Sequence, residues 1–157
     1  MQKVRPFLWF DGNAEEAVKF YASTFGDAKI LDTMYYSEAG PRPKGSVLSV
    51  TFELFGREFV ALNGGPHYQF TPAVSFFVSC ETQAEVDAYW EKLLDGGTPL
   101  QCGWITDRFG VTWQIVPRVL GEMLQDRNGE RAARVMRAMF QMVKLDIAEL
   151  KRAYEQE

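Results

Sequence analysis

The 157-residue chain is long enough for one compact domain, or for two small modules that share a core. Its 46% hydrophobic and 24% charged residues exclude a disordered chain. Seventeen Lys+Arg against 21 Asp+Glu give a net charge of -4, which disfavours nucleic acid or an anionic membrane as a partner.

In chain order, Val4–Phe10 (VRPFLWF) reads as a strand and Asp11-Gly12-Asn13 as a turn. From Ala14 to Phe25, Ala17, Val18, Tyr21 and Phe25 recur at helical spacing, and Gly26 stands where a C-cap belongs. An additional strand and loop lie between Asp27 and Lys44, and Ser46–Leu62 reads as two strands around a turn near Phe55-Gly56-Arg57. Gly64-Gly65-Pro66-His67-Tyr68 reads as a flexible hinge.

The same order then returns. Ala73–Val78 is a strand, Cys80-Glu81-Thr82 a polar turn, and Gln83–Leu94 a helix with Val86, Tyr89, Trp90, Leu93 and Leu94 on one side. Thr82 with Glu85 three residues later fits a capping box. Trp104–Val116 reads as two strands around Asp107-Arg108-Phe109-Gly110, echoing Phe55-Gly56 in its aromatic residue and turn glycine. Beyond Pro117, Arg118–Gln125 reads as a short helix. From Gly129 to Tyr154, apolar residues at three- and four-residue steps (Ala132, Met136, Met139, Val143, Ile147, Leu150, Tyr154) predict one amphipathic helix of about 25 residues and about 38 Å.

The chain is therefore expected to be a single α+β domain, 1–157, made by duplication. A first module (1–63) and a second (73–117) are joined by a linker (64–72) and followed by a helical extension (118–157). Each module reads as strand, helix, then two or three strands. A small sheet with one helix leaves a face uncovered, so the two sheets are expected to curl together into a cup.

Several stretches carry a more specific signal: PFLWFDGNAEEAVKFY (6–21), TPAVSFFVSCETQAEVDAYWEKLLDGG (71–97), QCGWITDRFGVTWQIVP (101–117) and the tail at 119–150. With them the chain resembles the vicinal oxygen chelate superfamily (the glyoxalase/bleomycin-resistance fold), in its PhnB-like branch, often labelled demethylubiquinone methyltransferase-like. The resemblance implies two βαβββ modules forming a cup-shaped mixed sheet, and a homodimer. The superfamily's metal enzymes carry a ligand on the first and last strand of each module. By position these fall near Arg5 or Pro6, near Leu62 or Asn63, near Pro72 or Ala73, and at Gln114. Asn63 and Gln114 are the oxygen donors among them, and no His, Asp or Glu accompanies them. A hard cation needs several charged or imidazole donors, so no tightly bound metal and no cofactor are expected.

Strand alternation selects the lining of the cup. Val74, Phe76 and Val78 suit contact with a helix, as do Val111, Trp113 and Ile115, leaving Ser75, Phe77, Thr112 and Gln114 on the other side. Phe7 and Trp9 correspond to Ser75 and Phe77 in the repeat, and Cys102 and Trp104 lie one strand away. An apolar surface with a few placed polar groups suits a small hydrophobic or aromatic molecule. The leading expectation is thus a small-molecule-binding protein of this fold. A glyoxalase- or dioxygenase-type enzyme is the alternative, and a methyltransferase acting on a quinone-like substrate comes third. The single histidine, His67, and the two cysteines, Cys80 and Cys102, offer no ready nucleophile–base pair and no zinc knuckle. Asp107 reads as a turn residue. No run of residues approaches the roughly 20 apolar positions of a membrane span, and residues 1–6 lack a signal-peptide core, so a cytoplasmic protein is expected.

Overall fold

The structure, a computed structural model, describes residues 2–156. It divides into two compact units, up to Phe70 and from Thr71 onward. The first holds β1 (Phe7–Phe10), α1 (Ala14–Phe25), β2 (Ala28–Tyr35), β3 (Val47–Leu54) and β4 (Arg57–Asn63). The second holds β5 (Ser75–Cys80), α2 (Gln83–Leu94), β6 (Thr98–Pro99), β7 (Trp104–Thr106) and β8 (Thr112–Pro117). The sheet orders, β1-β4-β3-β2 and β5-β8-β7-β6, are the same, and in both the first and last strands pair in parallel. The protein is an α+β chain of two βαβββ modules followed by three C-terminal helices: α3 (Arg118–Leu124), α4 (Gly129–Phe140) and α5 (Ile147–Glu155).

Each helix buries one stripe against its own sheet. Ala17, Val18, Tyr21 and Phe25 of α1 are buried, and Tyr21 stacks on Phe52, which stacks on Phe59. Val86, Trp90 and Leu93 of α2 are buried with Ile105, Trp113 and Ile115 of the strands beneath. Thr82 Oγ1 accepts from the Glu85 N–H at 3.2 Å, as the capping-box spacing predicts. Helix α1 is anchored differently. Asn13 makes no side-chain cap bond, and Asn63 Oδ1, from the end of β4, takes the Ala14 N–H at 2.9 Å.

The turns differ where the sequences look alike. Phe55 (φ 50) and Gly56 (φ 78) form a two-residue hairpin turn in the left-handed region, which opposes the bulky Phe55 and suits the glycine. The second hairpin is instead closed by Asp107, which is 3% exposed. Its Oδ1 accepts from the Phe109 and Val111 N–H groups (2.8 and 3.1 Å), and its Oδ2 accepts from Trp113 Nε1 (2.9 Å). Asp107 is a buried structural carboxylate that ties the turn to the core.

Three expectations need correction. Strand β5 begins at Ser75, and Val74 is 67% exposed, because the chain at 71–74 makes its own turn (Val74 N–H to Thr71 O, 3.5 Å) before pairing with β8. The glycine-rich stretch read as a hinge is pinned to β1. Gly64 N–H donates to Phe10 O at 2.9 Å, and Trp9 Nε1 donates to Gly65 O at 2.8 Å. A Cβ at Gly64 would lie 2.4 Å from the Trp9 ring, so this glycine serves close approach.

The single long C-terminal helix is two helices, broken at 141–146. The Met142 and Val143 carbonyls turn aside to accept from the Cys102 and Gly103 N–H groups (2.9 and 2.7 Å), Leu145 is fully buried, and Asp146 caps α5 through the Glu149 N–H. Val116, Leu120, Met123, Val135, Leu145 and Leu150 form the core beneath this extension.

Two outcomes follow from these ties. Asp107→Ala strands three donors and should lower unfolding free energy by about 3 kcal/mol in urea titrations. Asp87 accepts from Lys144 Nζ (2.8 Å) and Gln83 Nε2 (2.9 Å), and these bonds hold its carboxyl below the usual range. A depressed native value stabilises the fold above the unfolded-state value and loses that contribution as pH falls through the native one. Asp87→Asn should therefore cost about 0.5 kcal/mol at neutral pH, the pair being half exposed, and the gap from wild type should close as pH falls below the ordinary carboxylate range and through the depressed native value.

Candidate functional site

A βαβββ sheet with one helix has a second face, and the register shows which residues occupy it. In the second module Phe77, Gln114 and Trp104 lie side by side across β5, β8 and β7. Ser75, Thr112 and Thr106 form the row on one side of them, and Ser79 with Val116 the row on the other. Helices α3 and α4 rise over part of this face. Between strands and helices lies a cavity of about 710 Å³, lined by Phe77, Ser79, Leu100, Gln101, Cys102, Trp104, Gln114 and Val116 from the sheet side, and by Leu120, Leu124, Met139 and Phe140 from the helices.

Phe77, Cys102, Trp104 and Gln114, all named from the sequence, thus meet in one cavity. Ser75, in the adjoining row of the same face, contacts Gln114, whose Nε2 pairs with Ser75 Oγ at 2.9 Å. Thr112 is buried and its hydroxyl pairs with that of Thr106 at 3.0 Å, so it braces the hairpin without reaching the cavity wall. In the first module Phe7 is largely exposed, and Trp9 packs edge-on against Tyr68 beneath the 64–68 stretch. Sequence reasoning missed Ser79, Leu100 and the helical wall. Ser79 continues the alternation of Ser75 and Phe77. Nothing in the helical spacing of Leu120, Leu124, Met139 and Phe140 told which surface they would meet.

Arg118 is the charged side chain of the lining, and its charge is spent locally. Its Nε and Nη2 donate to the Glu81 carboxylate at 3.0–3.1 Å, and Nη1 pairs with Glu122. Burial pushes the Cys102 thiol up from its ordinary value, with no cation opposing it. Burial, reinforced by Glu85, takes Cys80 up to about 12. Neither thiol is activated as a nucleophile. A smaller hollow of about 440 Å³ lies between the starts of α2 and α5. Three of its polar residues are committed, since Thr82 and Asp146 cap their helices and Gln83 bonds Leu145 O, Asp87 and the Ile147 N–H.

The metal positions of the superfamily can be tested on these residues. Register matches Gln114, opposite Phe77, with Leu62, opposite Trp9, and Leu62 has no donor atom. Asn63 faces the helix side, where its Oδ1 holds the Ala14 N–H and its Nδ2 donates to Glu15 and Val47 O. That leaves one neutral amide, a donor set that does not fit a hard divalent cation. Among the described residues no three His, Cys, Asp or Glu side chains gather into a metal-binding group.

A family model described as 3-demethylubiquinone-9 3-methyltransferase matches residues 2–116. The chain belongs to that family. It is thereby a PhnB-like member of the vicinal oxygen chelate superfamily. The PhnB protein from Bacillus cereus is 38% identical, with a TM-score of 0.68 over 74% of this chain and 99% of its own. Protein PA1353 from Pseudomonas aeruginosa (22% identity, TM-score 0.60, 74% and 96% coverage) shares the fold. A gene product from Arabidopsis thaliana (23% identity, TM-score 0.52, 74% and 98% coverage) shares it too. No curated protein matches. The family match stops just before α3, so this PhnB-like chain builds half of its cavity wall from residues beyond the matched stretch. Among the described residues no helix is long and apolar enough to cross a membrane.

Alkylation checks the thiol chemistry. With iodoacetamide at neutral pH, mass spectrometry should find Cys102 modified slowly and Cys80 essentially untouched, with both reacting fast once the chain is unfolded.

Proposed function

We propose that this PhnB-like protein binds a small apolar or aromatic molecule in the second-module cavity and does so without a tightly held metal. The observation that carries this reading is the cavity itself. Its volume of about 710 Å³ falls in the range of small-molecule sites, and its walls are mostly aliphatic and aromatic with few polar groups. A metal-dependent lyase or dioxygenase reading has the superfamily behind it but lacks the donors argued above. Methyl transfer, which the family description names, finds little support in the fold. Neither sheet is doubly wound, and the β1–α1 turn Asp11-Gly12-Asn13 has one glycine where a Rossmann-type methyl-donor site needs several. A homodimer belongs to the same proposal. Ile30, Leu31, Met34 and Tyr35 are exposed along β2, the edge strand of the first sheet, where apolar surface calls for a cover.

The neutral fluorophore N-phenyl-1-naphthylamine tests the reading directly. Wild-type protein should bind it with micromolar affinity, and Trp104→Ala should weaken binding about tenfold through lost aromatic contact. Absence of saturable binding by the folded wild type would remove the proposal. Elemental analysis should find well under one divalent metal per chain, and calorimetry with S-adenosylmethionine should show no heat of binding.

A further inference from the structure

The edges of the two sheets are unequal, and the difference says how the homodimer read above, on which this inference rests, is joined. Edge strands β1, β5 and β6 have four, six and two residues, and β6 contains Pro99, whose nitrogen cannot donate to a ladder. Edge strand β2 has eight residues. With Ile30, Leu31, Met34 and Tyr35 exposed along it, this long edge is a template for another strand.

The charges on β2 select the strand that fits. Lys29 and Asp32 are exposed, and neither enters an ion pair among the described residues. In a regular strand, residues three apart point to opposite faces. Here the register slips at Leu31, so Lys29 lies opposite Glu53 and Asp32 opposite Thr51, which are two residues apart in β3. The bulge thus returns Asp32 to the face of Lys29. Ala28 and Thr33, opposite Leu54 and Val50, share the helix side.

This pattern is self-complementary. When β2 lies antiparallel to β2 of a second copy, with Ile30 against the partner's Leu31, Lys29 meets the partner's Asp32 and Ala28 meets the partner's Thr33. The two-fold axis repeats each pair, every such charge pair is opposite in sign, and the members of both pairs share a face. Centring the axis on Leu31 would set Lys29 against the partner's Thr33, which belongs to the other face. Centring it on Asp32 would bring like charges together. An unrelated peptide strand can use the backbone groups of this edge, but matched charges about a two-fold axis are what contact between identical copies requires.

We propose that two copies join edge to edge through β2, forming one continuous sheet across the two-fold axis, with Lys29 of each copy paired to the partner's Asp32.

Sedimentation velocity on the full chain tests this by charge reversal. Wild type should be dimeric at about 100 µM, with a micromolar dissociation constant because a single strand pair is a small interface. Lys29→Asp and Asp32→Lys should each weaken association about tenfold or more, since each sets like charges opposite one another twice. The double variant, which restores opposite signs, should dimerise as wild type does. An equal mixture of the two single variants should form a heterodimer although neither associates well alone. Circular dichroism checks that each variant is folded. A dimer indifferent to both single reversals, or a folded double variant that stays monomeric, overturns the strand pairing and leaves the homodimer standing. A wild type monomeric at about 100 µM overturns the homodimer with it and leaves β2 to a different occupant. Neither result touches the cavity reading, which the fluorophore judges separately.

Discussion

A four-stranded sheet with a single helix has one face that is covered by its own module and one that is not. The helix-side faces of both modules are filled by the same device, a stripe of apolar residues on α1 or α2 lying over Phe52 and Phe59 in one case and Ile105, Trp113 and Ile115 in the other. The parallel pairing of first and last strands puts the open-face residues of each module in rows, and the chemistry of the site is the chemistry of those rows. In the second module the cover comes from α3 and α4, which leave a cavity over Phe77, Gln114 and Trp104. The site is a consequence of incomplete covering.

Several buried polar side chains hold this arrangement in register, and each is satisfied locally. Asp107 ties the β7–β8 turn to Trp113, Asn63 secures the start of α1, and Gln83 joins α2 to the residues leading into α5. Because these groups are bonded, none is left over for chemistry. The same holds for Arg118, whose partners are carboxylates of this chain. The polar side chains that line the cavity besides Arg118 are the neutral Ser79, Gln101 and Gln114.

Much of the fold was legible because it was written twice. Strand-helix-hairpin order, helix lengths and turn glycines recur in both halves, and a period-two reading of β5 and β8 separated Phe77 and Gln114 from Trp113 and Ile115 correctly. The reading ran out where a local pattern had more than one tertiary use. Asn63 and Leu62 looked equally eligible as a strand-end position until register put Asn63 on the helix side. Residues 141–146 contain no glycine or proline, so nothing in the spacing marked the break. It exists because Cys102 and Gly103 offer N–H groups to the Met142 and Val143 carbonyls, and because Leu145 enters a core that the helix axis would have carried it past.

The sequence by itself determined the two modules, their helices and the residues sharing each strand face, since those follow from periodicities of 3.6 and 2 within short windows. Only the tertiary structure decided which open-face residues meet a second wall. Leu120, Leu124, Met139 and Phe140 are apolar at helical spacing, and that spacing says a surface will be buried without saying which one. Their partner is fixed by contacts between segments far apart in the chain, a pairing that no local pattern encodes.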